Sequence, residues 1–203
     1  MNFLFPKPIP SSPPMFRNPV LDRLTRTHPV TVPLLYVPAT LWLLWEAVVE
    51  RALPGAQVAA VFLGGWLLWT FAEYWLHRTL FHWIPKTRWG PGMHFYLHGV
   101  HHKWPRDPYR LVMPPAVSVT LFWLFLGLYA ALLGDWGWAL HAGFTFGYMV
   151  YDLTHYYVHH FPARSAVARA LRRHHLLHHA PRAKHGGKFG VSTTLWDHVF
   201  RTF

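Results

Sequence analysis

Histidine is the residue type that stands out: there are 17 in 203 residues, with no cysteine. Most fall in four clusters. His77 and His82 enclose four residues, and His98, His101 and His102 form HxxHH. His155 and His159 form HxxxH, followed by His160, and His174, His175, His178 and His179 form HHxxHH. On a helix, residues three and four apart share a face. His98, His101 and His102 therefore line one side of a helix, as do His175, His178 and His179, and His155 lies above His159. His77 and His82 are five apart, about 140° on an ideal helix, and converge only if the helix loosens after His77. A single ion takes roughly four to six ligands, so imidazoles in this number suit two ions. Imidazole binds iron, zinc, copper and nickel alike, so the spacing does not choose the metal. A pH-sensing cluster and a loose metal-buffering tract are the plainer readings. The second fits poorly, because the clusters are regular and abut apolar segments. His28, His94, His141, His185 and His198 read as surface or packed residues, and His160 and His174 stand beside the pattern.

The elements that must position these clusters are apolar. Four stretches, at about 31–49, 56–76, 111–133 and 136–158, approach the roughly 20 residues a helix needs to cross a bilayer. Tryptophans lie within them or at their ends, where interfacial belts form. Short loops join the first to the second and the third to the fourth, which predicts two helical hairpins. Every Lys and Arg except Arg51 then falls on one side: in the N-terminal segment, the long middle segment or the C-terminal segment. The positive-inside rule places both termini and the histidine clusters in the cytoplasm. The expected architecture is all-α: a four-helix integral-membrane bundle with a cytoplasmic histidine-rich helical cap. The membrane would be the bacterial inner membrane or the endoplasmic reticulum, according to the host.

Composition agrees. Hydrophobic residues make up 52% and charged residues 13%, too little charge to solvate a soluble surface. A soluble helical protein would have to bury four long apolar runs in one another. The absence of cysteine excludes disulfides, thiolate metal sites, iron–sulfur clusters and cysteine nucleophiles. The net charge of +11 is explained by a basic face against anionic headgroups, without nucleic acid. No cleavable signal peptide is visible. Residues 1–17, rich in proline, read as a flexible tail, and 18–203 as one membrane domain.

Longer strings carry a resemblance. FYLHGVHHKWPRDPYRLVMPP at 95–115, YMVYDLTHYY at 148–157 and KFGVSTTLWD at 188–197, with the four histidine clusters, resemble the fatty acid hydroxylase superfamily. That superfamily includes sterol desaturases, and the nearest branch is the fatty acid and ceramide 2-hydroxylases. The likeness covers residues 18–203. It implies that His77, His82, His98, His101, His102, His155, His159, His175, His178 and His179 ligate two metal ions. Iron is expected, since a membrane lipid setting argues for oxygen activation, with zinc as an alternative occupant and O2 as co-substrate. The reaction implied is hydroxylation of a fatty acyl chain at the carbon next to the carbonyl. Eukaryotic members often carry an N-terminal cytochrome b5-like domain. This sequence has no room for one, so electrons are expected from a separate cytochrome b5-like or ferredoxin-like protein.

Ligating imidazoles need hydrogen-bond acceptors behind them to fix the tautomer. Glu73, four before His77, Asp152, three before His155, and Asp197 are the candidates. Tyr156 and Tyr157 are candidates for the substrate pocket or for interfacial anchors. Lys103, Arg106 and Arg110 can hold a lipid headgroup or simply attract the membrane surface. Two other functions compete: a sterol, carotenoid or alkyl-lipid oxygenase or desaturase of the same superfamily, and a metal-binding membrane transporter. The transporter would place its ligands at mid-bilayer rather than at helix ends.

Overall fold

The computed structural model describes residues 11–180 and 187–203, and these are helical with no strand among them. Helix α1 (Pro19–Leu24) starts at Asn18, whose side chain accepts from the Val20 and Leu21 amides. Helix α2 (Thr31–Trp45) ends in a π turn, Glu46–Glu50, and α3 (Gly55–Trp75) in another, Leu76–Phe81. The middle segment folds as α4 (Gly90–His94), a π turn at Phe95–Gly99 and α5 (Val100–Lys103). Then come α6 (Pro115–Leu133), α7 (Trp136–His160), α8 (Ala166–His178) and α9 (Leu195–Val199). Helix α6 begins later than position 111: Pro114 stands before it, and a helix's first turn is where a proline's missing amide costs nothing. Pro115 takes that place.

Three helical runs among the described residues are long and apolar enough to cross a membrane: Thr31–Glu50, Gly55–Phe81 and Pro115–Leu133. Leu34, Leu41, Leu63, Leu124 and Leu132 on them are 58–70% exposed, the surface of a helix that faces hydrocarbon rather than water. The fourth expected crossing, α7, has the length, at 25 residues, but not the apolar composition. Its position explains this. Helix α7 is the hub against which α2, α3 and α6 all pack. Enclosed by protein, it buries His141, Thr145, Asp152, His155 and His159, which a lipid-facing helix could not carry. The short loop expected between the first two helices is present, but α2 and α3 make little contact with each other and each lies against α7 instead. A Cβ on Gly143 of α7 would sit 1.9 Å from the Phe62 carbonyl oxygen. The α3 and α7 backbones therefore meet at a point only glycine allows, the close approach that drives helix association in lipid.

The tail expected to be flexible is fastened at its end. Residues 1–10 lie outside the described residues, but Ser12 is buried, and its amide donates to Asp107 Oδ2 at 2.8 Å. The Ser12 hydroxyl reaches the same oxygen at 2.5 Å. Arg26 donates to the Ser12 carbonyl, Arg110 donates to the Pro13 carbonyl and to Asp22, and the Met15 amide donates to Asp22. The proline-rich composition gave no sign of this clasp, because Asp107 and Arg110, which complete it, lie some 90 residues away.

Candidate metal centre

The four histidine clusters meet where α3, α5, α7 and α8 end, in two groups of five. One is His77, His82, His98, His102 and His178; the other is His101, His155, His159, His175 and His179. Within each group the candidate ligand nitrogens all lie within 4.8 Å of one another. In the first group Nε2 of His98 lies 3.1 Å from that of His77 and 3.0 Å from that of His102, and His82 Nε2 lies 2.9 Å from His178 Nε2. In the second, His101 Nε2 is 2.9 Å from His155 Nε2 and 3.0 Å from His179 Nε2, and His159 is 2.8 Å from His175. Two nitrogens each about 2.1 Å from an ion and at right angles to one another lie about 3 Å apart. The donor sets therefore fit one ion each. The groups are adjacent: the His102 and His179 rings stack at 4.2 Å.

The motifs do not map one to one onto the groups. In HxxHH, His98 and His102, four apart, join the first group while His101 joins the second. In HHxxHH, His178 joins the first group while His175 and His179, again four apart, join the second. The neighbouring pairs His101–His102 and His178–His179 thus straddle the two groups. His77 and His82 meet because Leu76–Phe81 is a π turn, whose wider i→i+5 winding brings residues five apart onto one face. Their ring centroids are 5.0 Å apart.

Burial keeps these imidazoles neutral, the form that ligates. His98, His101, His175 and His179 are held well below the usual histidine range, first by loss of solvent and then by the neighbouring imidazoles, whose charges would repel a proton. His102 is lowered for the same reasons, and His178 by burial, against the pull of the Gly187 carbonyl. His77 Nδ1 donates to the Phe189 carbonyl at 2.6 Å and His178 Nδ1 to the Gly187 carbonyl at 3.1 Å, which leaves both Nε2 atoms as acceptors facing the group.

The acids predicted to stand behind the ligands act one step further out. Glu73 accepts from the Val191 amide at 2.6 Å and the Ser192 amide at 2.9 Å, and also from the Ser192 hydroxyl. Asp197 accepts from the Phe189 and Gly190 amides, both at 2.8 Å, from Thr202 Oγ1, and from His174 Nε2 at 3.0 Å. Together they fix the loop whose Phe189 and Gly187 carbonyls hold His77 and His178. Asp152 accepts from the Met113 amide at 3.3 Å. The direct contacts to ligand candidates thus come from backbone carbonyls, which a sequence does not display; the only hint was the KFG string. His174 serves Asp197 and stays out of both groups, and His160 stacks on Tyr156 at 4.2 Å. His141 is buried beside Phe122, His28 packs near Tyr109, and His185 lies outside the described residues.

A cavity of about 300 Å³ touches His98, His101 and His155 of both groups. Met15, Phe16, Tyr96, Met113, Tyr151 and Asp152 are among its walls. Tyr156 and Tyr157, the tyrosines expected in the pocket, do not line it: one stacks on His160 and the other donates to the Pro162 carbonyl. Helical rotation turns them away and turns Tyr151, four before His155, towards the cavity.

Two largely buried all-imidazole donor sets at the end of an apolar helical bundle point to a membrane protein whose histidines could hold metal. Comparison with known proteins narrows the class. The fatty acid hydroxylase family profile matches residues 62–202. The dihydroceramide fatty acyl 2-hydroxylase FAH1 of Arabidopsis thaliana is 36% identical over 94% of this chain and 79% of its own length. The ceramide very long chain fatty acid hydroxylase SCS7 of Saccharomyces cerevisiae is 40% identical over 95% of this chain and 50% of its own length. A solved structure of full-length scs7p, with only its hydroxylase domain visible, superposes with a TM-score of 0.85 at 37% identity, covering 95% of this chain and 72% of that one. The chain belongs to the fatty acid hydroxylase family and is a membrane-bound hydroxylating oxidoreductase.

Proposed function

We propose that this protein hydroxylates a fatty acyl chain, free or in ceramide, at the carbon next to the carbonyl, using O2 and two metal ions. The observation that carries the reading is the pair of five-imidazole groups side by side, with one cavity reaching ligand candidates from both. His77, His82, His98, His102 and His178 would hold one ion, and His101, His155, His159, His175 and His179 the other. Bound iron would supply the activation of O2 and the removal of hydrogen from an unactivated C–H bond, chemistry that no side chain provides. One oxygen atom enters the C–H bond and the other leaves as water, which consumes two electrons and two protons. A separate cytochrome b5-like or ferredoxin-like protein is the proposed electron donor.

The chain's own residues position and shield. The Phe189 and Gly187 carbonyls orient His77 and His178. Phe81, stacked on His98 at 5.1 Å, and Phe189, beside His77, His82 and His178, keep water from the first group. Tyr151 and Asp152 place polar atoms on the wall of an otherwise largely apolar cavity, where the substrate's carbonyl end can lie. Helix α7 is proposed as the fourth crossing, lined on its sides by protein, with both termini and the imidazole groups on the cytoplasmic face. The distribution of Lys and Arg supports that orientation.

The test is mass spectrometry of lipids from a host that makes no 2-hydroxy acyl chains of its own. Expression of the wild type is expected to produce them. His101→Ala, which removes one of five donors, is expected to abolish the product while the protein still accumulates in the membrane. Undiminished 2-hydroxy lipid from that variant would refute the assigned role.

A further inference from the structure

A second cavity, of about 360 Å³, lies between α3, α6 and α7 and reaches α2 at Tyr36. Trp69, Leu121, Phe125, Phe144 and Tyr148 are among its walls. It touches none of the ten clustered histidines, yet Met113 lines both it and the cavity beside them. Neighbouring residues divide the two cavities. On α6, Val117 faces the metal-side cavity and Ser118 the inner one; on α7, Asp152 faces the first and Tyr148, one turn earlier, the second. The Tyr151 ring on one side packs 5.8 Å from the Trp69 ring on the other. The Met113 backbone is pinned by its amide to Asp152. Its side chain is unbranched, with three rotatable bonds, and is the adaptable part of the divider.

Resting on the acyl-hydroxylase reading above, we propose that Met113 divides a single acyl-chain path: carbons near the reacting end occupy the metal-side cavity, and the far methylenes of a long chain occupy the inner one. Met113 thereby sets the preference for chain length. The occupant follows from the walls. Aromatic and aliphatic carbon makes up nearly all of the inner cavity's wall, so a polar headgroup there would lose its hydrogen bonds to water and gain few. A polymethylene tail loses nothing, and each methylene buried raises affinity by about fourfold. Each cavity alone stands near the small end of the roughly 300–1,000 Å³ that ligand sites span, so a long chain needs both.

The experiment offers short and long acyl substrates in competition to the metal-loaded protein in membranes, with its electron donor, and reads the ratio of long to short hydroxylated product. Met113→Trp fills the divider, and Leu121→Trp fills the inner cavity from α6. Both are expected to lower that ratio by about tenfold or more, while Met113→Ala leaves it at or above the wild-type value. A second readout does not depend on turnover. A fatty acid carrying a photoactivatable diazirine at its methyl end is expected to label the cavity-lining Leu121, Phe125, Phe144 and Tyr148 in the wild type, and to lose that labelling in Met113→Trp. An unchanged ratio in whichever tryptophan variant folds, or labelling confined to lipid-facing residues such as Leu124 and Leu132, would overturn the proposal. Labelling of the inner cavity by a wild type that forms no hydroxylated product would sink the hydroxylase reading and leave the path standing.

Discussion

At the scale of single residues, the site depends on groups that never face the candidate ions. Asp197 is fully buried and accepts four hydrogen bonds, two of them from the amides of Phe189 and Gly190. Those bonds aim the Phe189 carbonyl at His77. Asp197→Ala is therefore expected to weaken metal binding in the first group by about 10–100-fold, the usual cost of losing a group behind a ligand, and to spare the second group, which does not use this loop. Metal titration with a competing chelator checks this; equal loss from both groups would contradict it. The ten histidines singled out by spacing and by the family resemblance are the ones that gather into the two groups. Sequence alone misplaced the acids by one step. Glu73 and Asp197 stand close to histidines along the chain, but their partners are the amides of a loop that only tertiary structure brings alongside.

Elements explain why some spacing was legible and some was not. HxxHH reads as one helical face, and so it is, but the face is shared between two groups because the adjacent His101 and His102 point to different ones. HxxxxH makes sense only once Leu76–Phe81 is known to wind as a π turn, a feature that hydrophobic periodicity does not report. The N-terminal segment is a further case. Burial alone would raise the Asp22 carboxyl, but hydrogen bonds from the Met15 amide, Arg26 and Arg110 overcome this and lower it to about 2. A carboxyl lowered on folding stabilises the folded state above its unfolded value, near pH 4, and loses that contribution as pH falls through its folded value. The clasp over Met15 and Phe16 is thus expected to be intact above about pH 4 and to loosen as pH falls towards about 2. A spin label on Arg17→Cys reports this cleanly, since the chain has no cysteine of its own. Its mobility is expected to rise in that acid window; mobility that is already high at neutral pH would contradict the clasp.

For the whole molecule, composition carried the membrane reading and charge asymmetry the proposed orientation. What composition could not show is that α7, the most buried of the long helices, is the hub rather than one of four equal spans. Its polar residues are enclosed by the helices around it: Asp152, His155 and His159 are buried. Helices from both halves of the chain must converge on α7 before either imidazole group is complete, so the site tests the fold as a whole. Anomalous diffraction from crystals of the purified, metal-loaded protein measures this most directly. Two peaks are expected, one within the group of His77, His82, His98, His102 and His178 and one within that of His101, His155, His159, His175 and His179. A single peak, or peaks away from these histidines, would contradict a two-ion centre.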